Sequence, residues 1–252
     1  FDDGYIAYLQ DQVFESILES VSQLVPAKTV LAEAEVPMKN FTHDSRPPVV
    51  VDKKLPVALF RNQKTGETIA TLSSWGMHPE GFGSDFPLIS SDFVHYYREA
   101  MESGLDGKGG FKGFGGKAIY FTGPVGGLMT QLNINISDRF GEVNGPGSKS
   151  KAQGENLAIL AAEALNTSQK NGVEDMSFQG IGFTAKTIFI PIGWPLKVAV
   201  ALGLVHPGMY GLPFNTEVKS EINAIRIGDL EIITSPGEVF PEIVDGGIES
   251  PE

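Results

Sequence analysis

Short runs rich in Val, Ile, Leu and Thr alternate along this chain with stretches of three- and four-residue apolar spacing, which restricts it to folds in which helices cover β-sheets. The spacing predicts an amphipathic helix from Asp2 to Leu24 through Ile6, Leu9, Val13, Phe14, Ile17 and Val21, stopped at Pro26. Strands are predicted at Thr29–Val36, Pro56–Arg61 and Thr68–Ser74, the last two joined as a hairpin by Asn62-Gln63-Lys64-Thr65-Gly66. A helix capped by Ser90 or Ser91 runs to about Ser103, a strand covers Lys117–Thr122, and a second helix covers Ser150–Leu165. Beyond them come a strand at Ile181–Ile190, an apolar helical stretch around Leu196–Leu204, a strand pair Ser220–Ile227 and Glu231–Thr234, and a helix at about Val239–Val244. The expected class is α/β, a mixed α+β fold with mixed β-sheets covered by helices in a layered sandwich. No composition shift flanks the Gly-rich runs 104–116 and 141–147, so residues 1–252 read as a single domain.

Charge excludes one large group of partners. Nineteen Lys and Arg against thirty-one Asp and Glu leave a net charge of −12, whereas a nucleic-acid binder needs a cationic surplus to neutralise phosphates. With no cysteine, thiol nucleophiles and thiolate metal sites are also excluded, so a metal would need His, Asp, Glu, Tyr or backbone oxygen. The most apolar stretch, Ile188–Phe214, is broken by Pro191, Pro195, Lys197 and Pro207 and falls short of a spanning helix. It reads as a buried core helix, with a lipid-accepting groove or peripheral membrane-surface contact as the alternative. The chain opens on FDDGY, with neither an initiator Met nor a signal segment, and reads as a piece of a longer protein.

Three places carry residues suited to chemistry. His78 follows the strand Thr68–Ser74 in Trp75-Gly76-Met77-His78-Pro79-Glu80, where a sheet rim fixes a side chain beside a loop with room for a substrate. A hydrogen-bonded structural histidine is the competing interpretation. The run Phe121-Thr122-Gly123-Pro124-Val125-Gly126-Gly127 is a strand entering a Gly-rich turn whose N–H groups could approach an anionic oxygen, or simply a tight turn. In Ser235-Pro236-Gly237-Glu238 the carboxylate could hold a cation, or favour the start of the next helix. His43, His95 and His206 have no convincing partner in the sequence.

Taken in order, the segments VDKKLPVALFRNQKTGETIATLSSWGMHPE, LISSDF, YFTGPVGGLMT and SEINAIRIGDLEIITSPGEVF resemble the neutral/alkaline, non-lysosomal ceramidase family, and its distant bacterial branch most closely. The opening FDDGYIAYLQDQVFESILESVSQLVPAKTVLAEAEV is similar to that family's helix-then-strand. The resemblance implies a secreted or periplasmic hydrolase cleaving an amide, possibly of a ceramide-like lipid, with Zn2+ held by two His, one Glu and one Tyr. His78 matches the second His and Glu238 the Glu, with the first His expected before Phe1 and the Tyr beyond Glu252. The family's nucleophilic serine falls on Met129, a thioether that cannot act in that way, with Thr130 one residue off. Zinc-activated water then becomes the expected nucleophile, with Gly126 and Gly127 as oxyanion donors, Glu80 as a candidate general base, and Arg46 as an oxyanion stabiliser or a surface ion pair. An esterase or amidase acting on a small non-lipid substrate, and a non-catalytic metal-binding homologue, are the alternatives.

Overall fold

The structure is a computed structural model that describes residues 3–84, 86–127, 129–171, 180–204, 209–210 and 217–246. Its first half contains α1 (Asp3–Ser22), β1 (Ala27–Glu35), β2 (His43–Asp44), β3 (Lys54–Asn62), β4 (Thr68–Trp75) and α2 (Phe93–Ser103). There follow β5 (Gly104–Leu105), β6 (Phe111–Lys112), β7 (Lys117–Thr122), β8 (Met129–Thr130), β9 (Ile136–Asp138), β10 (Gly141–Val143) and α3 (Pro146–Lys170). The remainder is β11 (Ile181–Pro191), α4 (Trp194–Ala201), β12 (Met209–Tyr210), β13 (Glu217–Ile227), β14 (Leu230–Thr234) and α5 (Pro241–Asp245).

Period-two burial drives the main sheet: Leu55, Val57 and Leu59 of β3 and Thr71, Ser73 and Trp75 of β4 are all buried. Its strand order is β1-β3-β4-β7. β3 runs antiparallel to β1 and β4, whereas β7 runs parallel to β4, with Trp75 opposite Thr122. A parallel neighbour requires a crossover, and α2 lies between the two strands in the chain. Together α2 and α3 bury Phe93, Tyr97, Met101, Leu157, Ala161 and Leu165 in one apolar core with the sheet. Trp75 sits among them, edge-on to Phe41 and Phe93 at 6.2 Å each, and satisfies its indole N–H on the Asp52 carbonyl at 3.0 Å. The expected layered α/β class is the one observed.

Some elements differ from expectation. α3 extends past the predicted Ser150–Leu165 at both ends, because Pro146 is suited to the first helical turn and the Asn166–Lys170 end carries no apolar spacing to announce it. The cap of α2 is Asp92 rather than Ser90 or Ser91; its carboxylate accepts the Phe93 N–H at 2.7 Å. The apolar face of α1 is open, with no residue of that helix buried. The second sheet, β11 and β14 flanking β13 antiparallel, likewise has no buried residue among those described. The helix expected in the core at Leu196–Leu204 starts instead at Trp194, with Pro195 in its first turn, and buries none of its residues. His206 and most of the stretch beyond Leu204 lie outside the described residues. Among the described residues no helix is long and apolar enough to cross a membrane.

One buried carboxylate links the sheet to the C-terminal helix. Asp52, only 7% exposed, accepts the Lys54 N–H at 2.9 Å, and the Lys54 ammonium reaches Asp245 of α5 at 2.6 Å. Burial pushes the Asp52 carboxyl up to about 6; the Lys54 backbone hydrogen bond opposes this and the Asp245 charge adds to it. Near pH 5 the folded chain therefore holds a proton at Asp52 that the unfolded chain has largely released, so stability falls as pH rises from about 4 to about 6. Asp52→Asn should abolish that fall, worth on the order of 2 kcal/mol after allowance for solvent screening. Urea midpoints of both proteins across this window check it; parallel pH profiles would refute the assignment.

Candidate functional site

The site grows from the carboxyl ends of the parallel strands β4 and β7, where open sheets gather ligands. Immediately beyond Trp75 and Thr122 the two chains remain in contact through glycines. Gly123 donates to the Trp75 carbonyl at 3.0 Å, and a Cβ on Gly76 would lie 2.4 Å from the Pro124 oxygen. No larger residue fits that crossing. The chain beyond β4 reaches His78, half-buried, whose Nε2 lies 3.4 Å from the Gly127 carbonyl oxygen. A third strand of backbone joins them: the Gly126 N–H donates to the Val239 carbonyl at 2.7 Å, and a Cβ on Gly126 would stand 2.7 Å from the Phe240 nitrogen. In this way the Gly-rich turn draws the Ser235-Pro236-Gly237-Glu238 segment against the end of the sheet.

The result is a cavity of about 630 Å³ lined by His78, Glu80, Gly127, Thr130 and Glu238. Five residues singled out in the sequence, spread over 161 positions from His78 to Glu238, thus share one wall system. Gly126 and Arg46 do not line it. The N–H of Gly126 is engaged by Val239, so Gly127 is the member of the pair that borders the cavity. Arg46 lies behind that wall. Its guanidinium stacks over Phe240 at 5.0 Å and its Nη2 bonds Glu242 of α5, which ties the Glu238 segment to the loop after β2. Burial works to raise the Glu242 carboxyl, and the Arg46 charge and hydrogen bond override it, leaving that carboxyl below its ordinary range.

Other residues at the site gave no usable signal in sequence. β2 and β8 form a two-residue antiparallel ladder that sets His43 opposite Thr130 and Asp44 opposite Met129. Alternation in strands sends the two pairs to opposite faces. Asp44 and Met129 are buried at 1% and 0% exposure, while His43 and Thr130 line the cavity. The Met129 side chain therefore belongs to the core. Asp92 is the second such residue. Its carboxylate accepts the Gln131 amide at 2.7 Å and the Phe82 N–H at 3.0 Å, in addition to capping α2. It holds the left-handed φ of 52°, a conformation that costs a non-glycine residue about 1–3 kcal/mol and persists only where surroundings fix it. Asp92 thereby anchors the loop carrying Glu80 and the segment carrying Thr130 to one buried point.

In chemical kind, two imidazoles and two carboxylates facing one cavity are donors that zinc accepts. Among the described residues no three His, Asp or Glu side chains stand close enough together to hold a metal ion.

These features define a layered α/β fold with a carboxylate- and imidazole-lined cavity at the ends of its parallel strands. The fold is that of ceramidase structures: the chain is similar to the crystal structure of neutral ceramidase from Pseudomonas aeruginosa, with TM-score 0.61 and 17% identity over 90% of this chain and 43% of that one. It is also similar to a ceramidase complexed with C2, with TM-score 0.57 and 17% identity over 86% of this chain and 42% of that one. The chain spans less than half the length of either. No family model matches the sequence, and no curated protein matches it.

Proposed function

We propose that this chain is part of a hydrolase of the neutral ceramidase family that cleaves the amide of a ceramide-like lipid with water as the nucleophile. The observation that carries the proposal is the convergence of His78, Glu80 and Glu238 on one cavity at the carboxyl ends of β4 and β7, within a fold shared with ceramidases. His78 and Glu238 would hold zinc, with the remaining two ligands drawn from outside these 252 residues. Bound there, zinc supplies Lewis-acid polarisation of the carbonyl and lowers the pKa of water toward ~7. Glu80, exposed at the cavity rim, takes a proton from the attacking water. The Gly127 backbone borders the place where negative charge collects on the carbonyl oxygen.

Burial of Met129 favours direct attack by water over an acyl-enzyme, because the side chain at the serine position points into the core and has no proton to lose. The apolar part of the wall, Leu132 and Ile134, suits an acyl or alkyl chain better than a charged substrate. Export to the periplasm or the cell exterior belongs to the same proposal.

The test is turnover by the complete protein on a matched panel: an N-dodecanoyl sphingoid amide, its N-acetyl counterpart and the corresponding dodecanoyl ester. Release of long-chain base from the first at the highest kcat/KM is the expected result. Cleavage of the ester with no amide cleavage would overturn the proposal.

A further inference from the structure

His43 has no place in the hydrolytic scheme above, although the structure sets it at the same cavity. It is directly opposite Thr130 in the β2–β8 ladder, a position in which paired side chains have Cβ atoms about 4.5–5.5 Å apart on one face. Both residues line the cavity that holds His78, Glu80 and Glu238. The partner positions Asp44 and Met129 are locked in the core, so the ladder cannot turn over without exposing a buried carboxylate and a buried thioether. Asp44 is itself fixed by the N–H groups of Arg46 at 2.9 Å and Val50 at 3.3 Å. A rigid two-residue strand thus carries one imidazole to the cavity wall. His43 is exposed, which gives it proton exchange with solvent.

Amide cleavage needs two proton transfers, one from the attacking water and one to the departing nitrogen, since an amide anion is too poor a leaving group to depart unprotonated. The scheme above assigns Glu80 the first. We propose that His43 is the general acid that protonates the leaving amine. This inference rests on the amide-hydrolase reading and deepens it. The water oxygen bonds to the carbonyl carbon while Glu80 accepts a water proton. The C–N bond then breaks, its electron pair stays on nitrogen, and that nitrogen takes the proton of the His43 imidazolium. A carboxylic acid and a free amine result. The proton on Glu80 returns through solvent to the neutral His43, which restores both groups. Thr130, whose hydroxyl oxygen accepts the Leu132 N–H at 3.0 Å, has an O–H that can orient the imidazole or the leaving nitrogen.

The experiment compares wild type, His43→Ala and His43→Gln in the complete protein, reading long-chain amide turnover, zinc content by elemental analysis, and rescue by added imidazole. His43→Ala is expected to lose at least about 30-fold in kcat with unchanged zinc content, and tens-of-millimolar imidazole is expected to restore a substantial part. His43→Gln, which fills the same space without a transferable proton, is expected to lose as much and to gain nothing from imidazole. Independently, diethyl pyrocarbonate should carbethoxylate His43 in the wild-type protein, and saturating sphingoid amine should protect it, as peptide mass spectrometry reads. Turnover of His43→Ala within threefold of wild type, or a low turnover that imidazole leaves unchanged, would overturn the acid role while leaving the hydrolase reading intact. Zinc lost with His43 would make it a ligand instead of an acid. No amide turnover by wild type on any substrate overturns both.

Discussion

Glu238→Gln in the complete protein is expected to lower amide turnover by at least about a thousandfold and to remove tightly held zinc, with the fold intact. The substitution keeps side-chain volume and removes only the charge, so a loss of this size isolates the role of the carboxylate as an anionic ligand. Glu238 is exposed and contributes nothing to the core, which separates this outcome from unfolding. His78→Ala should have the same effect on zinc. Elemental analysis beside circular dichroism reads both quantities. Full zinc stoichiometry in either variant would refute the proposed ligand assignment.

Gly154→Ala is expected to destabilise the fold by about 3 kcal/mol. In the middle of α3, a Cβ at this position would stand 2.4 Å from the Phe93 carbonyl oxygen and 2.8 Å from the Tyr97 nitrogen. Those are backbone atoms in the first two turns of α2, so no rotamer change relieves the contact and the two helices must separate. The separation would open the core around Phe93, Tyr97 and Leu157. Gly147→Ala, on the same helix, meets only the Phe82 ring edge at 3.4 Å and gains helix propensity, so it should be neutral or mildly stabilising. Urea midpoints read both, and a Gly154→Ala protein as stable as wild type would show that the helices pack more loosely than these distances require.

The helix that carries Gly154 is legible in the sequence. The periodicity of Leu157, Ala161 and Leu165 announces a helix because helix spacing is a local property, and the main-sheet strands β1, β3, β4 and β7 are announced as locally, by short runs rich in β-forming residues. His78 and Glu238 were found because each follows a strand with a distinctive motif. His43 and Asp92 were not: the cavity position of His43 depends on a two-residue ladder with Thr130, 87 positions away, and the conformation of Asp92 depends on donors from Phe82 and Gln131. No periodicity encodes such pairings. Apolar spacing likewise announced α1 and the stretch around Leu196 as elements with one face to bury, yet neither has a buried residue. A pattern states that a surface seeks cover without stating what supplies it.

The Arg46–Glu242 and Lys54–Asp245 bonds span 196 and 191 positions of chain, and the Gly126–Val239 bond spans 113. A growing polypeptide that has emerged only as far as Thr234 has its main sheet, α2 and α3 in hand but none of these ties, and no Glu238 in place. Synthesis therefore delivers the last wall of the pocket after all the others, and a chain halted at Thr234 would carry every residue that lines the cavity except Glu238.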